Sequence, residues 1–259
     1  LDTWAAQEFA TRLAAATEDH VLVTVYPASQ LADQNQALDE VIAGTIDMGL
    51  FTIYGTHDVR EEIKYTPFLC STYDEYKEVF AKDGYIYTNI EKMDAEEYNM
   101  KLLGFFTTGF LGVAFNKLDT TQDLFTFGVP KKELVRVPAQ DTMLKSCQAM
   151  GYETAIMNYS DVYTAMQTGV VDGSWHSGIS VNYNTFRDVD KYFVDYCCCL
   201  DVYSLVINND TFLSMPQEYQ DAMQAVADEV LDEGLAKQEA DDKEYYQKLA
   251  DYGCEIIYP

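Results

Sequence analysis

The chain has 259 residues, enough for one large domain or two small ones, and 48% of them are hydrophobic, which suffices for a substantial core and a globular, soluble protein. Its 43 acidic against 17 basic residues leave a formal charge of −26, a field that repels nucleic acid and anionic lipid and sets both aside as partners. No window approaches about 18 uninterrupted apolar residues, since the richest, residues 105–115, is broken by Thr107, Thr108, Gly109 and Gly112, so no membrane insertion is expected. No basic, apolar leader opens the chain, so if the protein is exported its signal has been removed or lay outside this sequence.

An opening helix is predicted from Ala5, Phe9, Leu13 and Ala16, which fall on one face, with Asp2 and Thr3 placed to cap it. Residues 21–26 read as a strand stopped by Pro27. Residues 33–43 then form a helix ended by Gly44, and 46–51 a short buried strand. Helices are expected over 74–80 and 86–98, with extended structure over 101–106 and 110–116. Next come a strand at 134–137, a helix at 141–150 ended by Gly151, a strand at 153–157 and a helix at 160–168 ended by Gly169. This alternation predicts an α/β fold with helices on both sides of mostly parallel sheets.

From 217 to 251 the apolar residues Tyr219, Met223, Val226, Val230, Tyr245 and Leu249 recur near helical spacing, and Gly253 stands where a C-terminal cap belongs. Such a helix reaches roughly 50 Å at 1.5 Å per residue, enough to bridge two lobes. Gly234 is its weak point, where a break competes with a continuous helix. No repeat, proline-rich linker or low-complexity segment marks a boundary, so lobes would be divided by chain crossings near 105–109 and 200–206. The expected division is lobe I at 1–105 plus 202–240 and lobe II at 106–201 plus 241–259.

Cys70, Cys147, Cys197, Cys198, Cys199 and Cys254 show no C-x-x-C spacing and are accompanied by only three histidines, which argues against a metal site. Residues 196–200 read as a buried strand in which cysteine serves as a small hydrophobe, with a disulfide from this run to Cys254 or Cys147 as the alternative. The chain contains no Gly-x-Ser-x-Gly, phosphate loop, dinucleotide fingerprint or His-Glu-x-x-His, and His20, His57 and His176 are scattered. No catalytic residue and no cofactor is expected, although a working carboxylate pair among so many acids stays open, and with it an enzyme acting on a small acid.

One cation stands out. Of the arginines Arg12, Arg60, Arg136 and Arg187, only Arg136 sits among β-branched neighbours, in Leu134-Val135-Arg136-Val137-Pro138. A guanidinium is costly to desolvate unless an anion meets it. Either an acid of the protein supplies that anion or a ligand does.

Several segments, in order, resemble the extracytoplasmic solute-binding subunits of TRAP (tripartite ATP-independent periplasmic) transporters. They are Val25-Tyr26-Pro27-Ala28-Ser29-Gln30-Leu31, Ala37-Leu38-Asp39-Glu40-Val41-Ile42-Ala43-Gly44-Thr45-Ile46-Asp47-Met48, Thr66-Pro67-Phe68-Leu69, Lys101-Leu102-Leu103-Gly104, Gly109-Phe110, Asn116-Lys117, Arg136-Val137-Pro138, residues 162–173 with Gln167-Thr168-Gly169-Val170-Val171-Asp172-Gly173, and Ile207-Asn208-Asn209-Asp210. The resemblance implies a two-lobe periplasmic-binding-protein type II fold, a ligand cleft between the lobes and a long C-terminal helix bridging them. It also implies a periplasmic or otherwise extracytoplasmic monomer that captures a small carboxylate and delivers it to TRAP membrane permease subunits. A ligand-sensing domain of a receptor, built from the same lobes, is the alternative.

By the same resemblance Arg136 matches the arginine that pairs with the ligand carboxylate. Leu111 stands where many members carry a second anion-binding arginine, which disfavours a dicarboxylate. Ser174-Trp175-His176-Ser177 replaces a stretch in which an acid and an asparagine commonly precede a proline. Trp175 would offer a flat face to an apolar or aromatic ligand body, or else pack under its loop, and His176 could add one hydrogen bond. Tyr54 and Phe68 occupy segments that border the cleft in the family, and Asn116 matches a family position but also suits a turn cap. The favoured ligand is therefore a monocarboxylate with an apolar or aromatic body.

Overall fold

Apolar spacing and caps set the first helices. Helix α1 (Asp2–Ala16) buries Ala5, Phe9 and Leu13 along one stripe. Helix α2 (Gln34–Ala43) starts at Asp33, whose carboxylate accepts from the Gln36 N–H, and ends at Gly44 in the left-handed conformation. The computed structural model describes residues 2–27, 30–175 and 178–259. Strand β1 (Met48–Phe51), a 3-10 helix (Val59–Tyr65), α3 (Tyr73–Val79), α4 (Tyr85–Glu97), β2 (Met100–Phe110) and β3 (Val113–Phe115) follow. Then come β4 (Leu134–Val137), α5 (Asp141–Ala149), β5 (Glu153–Ile156), a 3-10 turn (Tyr159–Asp161), α6 (Val162–Thr168) and β6 (Gly173–Trp175). The chain continues through α7 (Ile179–Val181), a π-helical turn (Asn182–Phe186), β7 (Tyr192–Val194), β8 (Leu200–Asn208), α8 (Asn209–Ser214), α9 (Gln217–Tyr252) and β9 (Glu255–Ile257).

Two compact units result. The first comprises residues 1–53, 73–107 and 202–238, and the second 54–72, 108–201 and 239–259. Residues 54–72, expected with the first lobe, group with the second unit because their backbone and side chains are spoken for there. Glu62 accepts from the Thr142 N–H, and the Phe68 N–H donates to the Cys198 carbonyl at 2.6 Å.

The first unit holds a three-stranded sheet ordered β1-β8-β2, with β1 antiparallel to β8. Its core joins α1, β2, β8, α8 and the first half of α9 through Phe9, Leu103, Phe106, Ile207, Phe212 and Val230. The second unit holds a six-stranded sheet ordered β5-β4-β6-β3-β7-β9. There β4 runs parallel to β5 and β6, β3 is antiparallel to β6 and β7, and β7 is parallel to β9. The six-stranded sheet is thus mixed, with three parallel pairs and two antiparallel ones, and both antiparallel pairs are made by the short strand β3.

Three local expectations are corrected. Residues 101–106 and 110–116 are not two strands of those bounds: β2 runs unbroken to Phe110, and all of it but Lys101 is buried, so its backbone groups need ladder partners throughout. Residues 21–26 stay outside the described ladders; Val21 and Val23 satisfy their hydrophobicity by packing on the first core. Residues 196–199 are not strand, and Cys197 has φ 47°. The carbonyls of Cys198 and Cys199 instead accept from the Phe68 and Leu111 N–H groups. All six cysteines are unbridged thiols.

Helix α9 is continuous for 36 residues, about 54 Å at the usual rise. Gly234 does not break it. A Cβ there would meet Phe106 Cε2 at 2.6 Å, so the glycine lets the helix approach that ring closely.

Candidate functional site

Strand β4 carries Arg136 between two parallel neighbours. Arg136 lies opposite Ala155 of β5 and Ser174 of β6, and the pleat puts these three on one face of the sheet with Val135 and Val137 on the other. Its small neighbours leave the guanidinium stem room to lie buried, and Arg136 is only 2% exposed. Nε donates to the Met157 carbonyl at 2.9 Å. Among the described residues the guanidinium has no ion pair and no second hydrogen bond.

Burial pushes the Arg136 guanidinium down to about 10, against an upward pull from Tyr54 and Tyr159 nearby. It is therefore a full cation at neutral pH, already stripped of water. The remaining N–H edges form a planar fork that suits a carboxylate. A carboxylate would supply the anion that the described protein does not.

Other buried polar groups occur in the same unit. Ser174 is fully buried, and its Oγ finds no partner among the described residues. Neither amide atom of Gln140, buried just beyond β4, finds one either. An orphaned buried polar group costs about 1–3 kcal/mol, which water or a ligand can offset.

The sequence candidates fare differently. Tyr54 is half-buried and within electrostatic range of Arg136. Trp175 ends β6 opposite Val113 of β3, on the sheet face away from Arg136 and Ser174. It is 1% exposed, with its indole N–H unpartnered, so its surroundings are those of a packed core residue. Phe68 is 58% exposed on a left-handed backbone of φ 59°. Asn116 donates its amide to the Val189 carbonyl at 3.1 Å and its N–H to Asp172. Since Asp172 in turn bonds the backbone of Leu134, Asn116 stands by the start of β4, away from the Met157 end. Leu111 is fully buried, and His176 lies outside the described residues.

Tyr159 was not singled out from sequence. It follows β5 and packs edge-on against Phe186, ring centres 5.8 Å apart at 81°. The available signal was the strand–helix–strand pattern: parallel neighbours at 134–137 and 153–157 bring the residues after each to the same sheet edge.

Among the described residues no group of three or more His, Cys, Asp or Glu side chains could hold a metal ion. No described helix is long and apolar enough to cross a membrane.

The chain folds as two compact α/β units with one continuous 36-residue helix near its C-terminus, and its class is that of a solute-binding protein. The chain belongs to bacterial extracellular solute-binding protein family 7, whose model matches residues 2–259, and so to the periplasmic solute-binding proteins of TRAP transporters. It is similar to the sialic acid-binding periplasmic protein SiaP of Vibrio cholerae, with 21% identity over 257 residues covering 98% of this chain and 78% of that one. A TRAP periplasmic solute-binding protein from Haemophilus influenzae with bound L-gulonate matches at TM-score 0.87 and 25% identity, covering 100% of this chain and 83% of that one. Another from Desulfovibrio salexigens, with bound orotic acid, matches at TM-score 0.87 and 22% identity, covering 98% and 80%.

Proposed function

We propose that this chain captures a small organic acid through Arg136 and delivers it to a TRAP membrane permease. The observation that carries this reading is a nearly fully buried guanidinium whose only described bond is to the Met157 carbonyl. A site so built binds weakly hydrated anions by a charge-assisted, bidentate contact, and its cost is met when the ligand arrives. Capture requires no catalytic group, and the protein acts as a monomer in the periplasm.

The ligand we favour has one carboxylate and an apolar or aromatic body. Leu111 supports the single carboxylate, because a fully buried leucine offers no second cation at that position. Tyr54 and Tyr159 within electrostatic range of the guanidinium support the body, because phenol rings present apolar faces with a polar tip. The bound orotic acid and L-gulonate of the two solved relatives each carry one carboxylate, and the first is also flat and aromatic.

A thermal-shift screen tests this directly, since ligands that bind only the native state raise its midpoint. Orotate, benzoate-like acids, L-gulonate, succinate and malate would be compared, alongside mass spectrometry of whatever the purified protein releases on denaturation. Stabilisation by aromatic monocarboxylates with little from succinate is expected. Strong stabilisation by succinate alone would overturn the ligand class, and stabilisation by polyhydroxy acids alone would overturn the apolar body.

A further inference from the structure

Tyr54 opens a tight turn, closed by the His57 N–H donating to the Tyr54 carbonyl at 2.9 Å. The next residue, Gly55, donates its N–H to Glu62 Oε1 at 3.1 Å. The other carboxylate oxygen of Glu62 accepts from the Thr142 N–H at 2.9 Å and from the Thr142 hydroxyl. Thr142 belongs to the first turn of α5, which begins four residues after Val137 and so directly continues the strand that carries Arg136.

That helix start needs an outside acceptor. Its own N-cap residue, Gln140, makes no side-chain capping bond, which leaves first-turn N–H groups without the usual partner. Glu62 reaches in from the 3-10 helix to supply one, and a carboxylate at a helix N-terminus also meets the favourable end of the helix dipole. The 3-10 helix is itself pinned at its start, where Asp58 accepts from the Arg60 N–H at 2.8 Å. Gly55 completes the joint: a Cβ there would lie 2.1 Å from Glu62 Oε1, so any side chain at this position would push that carboxylate out of its place.

We propose that Glu62 is a positioning residue that ties the Tyr54–Gly55 turn to the start of α5 and thereby holds Tyr54 within electrostatic range of Arg136. The role rests on reading Arg136 as the anion anchor, and it makes Tyr54 a fixed wall of that site. Glu62 need not touch the ligand. It acts through two backbone N–H groups and one hydroxyl, each on a segment adjoining a residue of the site.

The test uses 3-fluorotyrosine at position 54 in the full chain, read by fluorine NMR. In otherwise unaltered protein, Arg136→Lys should displace the Tyr54 resonance, because the cation beside the ring moves. With Glu62→Gln, which keeps the size but loses the charge and one acceptor, the resonance should shift and its response to Arg136→Lys should fall below half. Gly55→Ala should do the same by pushing the carboxylate away, and serves if Glu62→Gln does not fold. A folded Glu62→Gln protein with an unchanged resonance and an unchanged response would overturn the inference. So would a Tyr54 signal indifferent to Arg136→Lys from the start. If Glu62 controls the Tyr54 signal while Arg136→Ala leaves acid binding intact, the positioning role stands and the anion-anchor reading fails.

Discussion

Arg136 and Ser174 stand directly opposite each other in adjacent parallel strands, both buried. The serine hydroxyl has no described partner, and the guanidinium has one backbone carbonyl. Inside a sheet that is otherwise packed with Val135, Val137, Val113 and Phe193, this pairing sets a polar step on one face only. The physical consequence is a local demand for an anion and a hydrogen-bonding group, at a point where the backbone is already rigidly laddered.

If the acid meets Arg136, Arg136→Ala removes a contact worth on the order of 2–5 kcal/mol, so affinity measured by calorimetry should fall roughly 30-fold to several-thousand-fold. Arg136→Lys should recover only part of it, because an ammonium lacks the fork. Unfolding of the ligand-free protein should change by less than about 1 kcal/mol or become harder, since a buried cation without an anion stabilises nothing. Large destabilisation with intact affinity would show instead that a protein acid pairs with it.

Asp190 is 3% exposed, neither of its carboxylate oxygens has a described partner, and burial holds its carboxyl well above the usual range. In the unfolded chain it ionises near pH 4, while in the folded protein it stays protonated to higher pH. Stability from this group is therefore complete below about pH 4 and is lost as pH rises, by up to about 1.4 kcal/mol per pH unit, until the folded group ionises too. Asp190→Asn should flatten that slope in urea denaturation between pH 5 and 7 and stabilise the protein at neutral pH. An unchanged slope would mean that water or a ligand already satisfies the carboxylate.

Gly234→Ala tests which force governs the long helix. Helix propensity alone would favour alanine by about 1 kcal/mol. The new methyl would, however, press on Phe106 at 2.6 Å and on Trp4 at 3.4 Å, and overpacking of this kind costs about 1–3 kcal/mol. A net loss of stability is expected, read as a lowered denaturation midpoint with an unchanged slope. A gain would show that the ring moves aside without cost.

Thiol titration should find one accessible cysteine in the native protein and six after denaturation. Cys197 is the half-exposed one, and the others are buried. Its reaction should itself be slow, because burial first and the neighbouring Asp195 next push the thiol up to about 11, and only the thiolate attacks. Cys197→Ser should abolish the native signal; a fast signal surviving that change would locate accessibility elsewhere.

Elements with their own caps and periodicity were legible in the chain. Asp33 and Gly44 bracket α2, Gly169 closes α6, and the 217–252 pattern marks α9. Each is specified by neighbours within a turn or two, so sequence spacing carries the information. Arg136 was legible for a related reason: a lone cation between β-branched residues is a local anomaly whatever surrounds it. The order of the motif segments likewise sufficed to point to the family.

What depended on distant partners had to wait for the tertiary structure. The cysteine run at 197–199 looks like strand by composition, yet its carbonyls pair with Phe68 and Leu111, contacts more than 80 residues apart in the chain that no local pattern encodes. Trp175 read as a ligand contact more than as packing, and only the register of β6, with Ser174 opposite Arg136 and Trp175 opposite Val113, set it on the face away from Arg136. Tyr159 and Glu62 became meaningful through parallel strands and a shared helix start, relations of three-dimensional adjacency. Sequence determined the family, the main helices and the cation; the fold decided which groups stand beside it, because pairing register and burial are properties of the assembled chain.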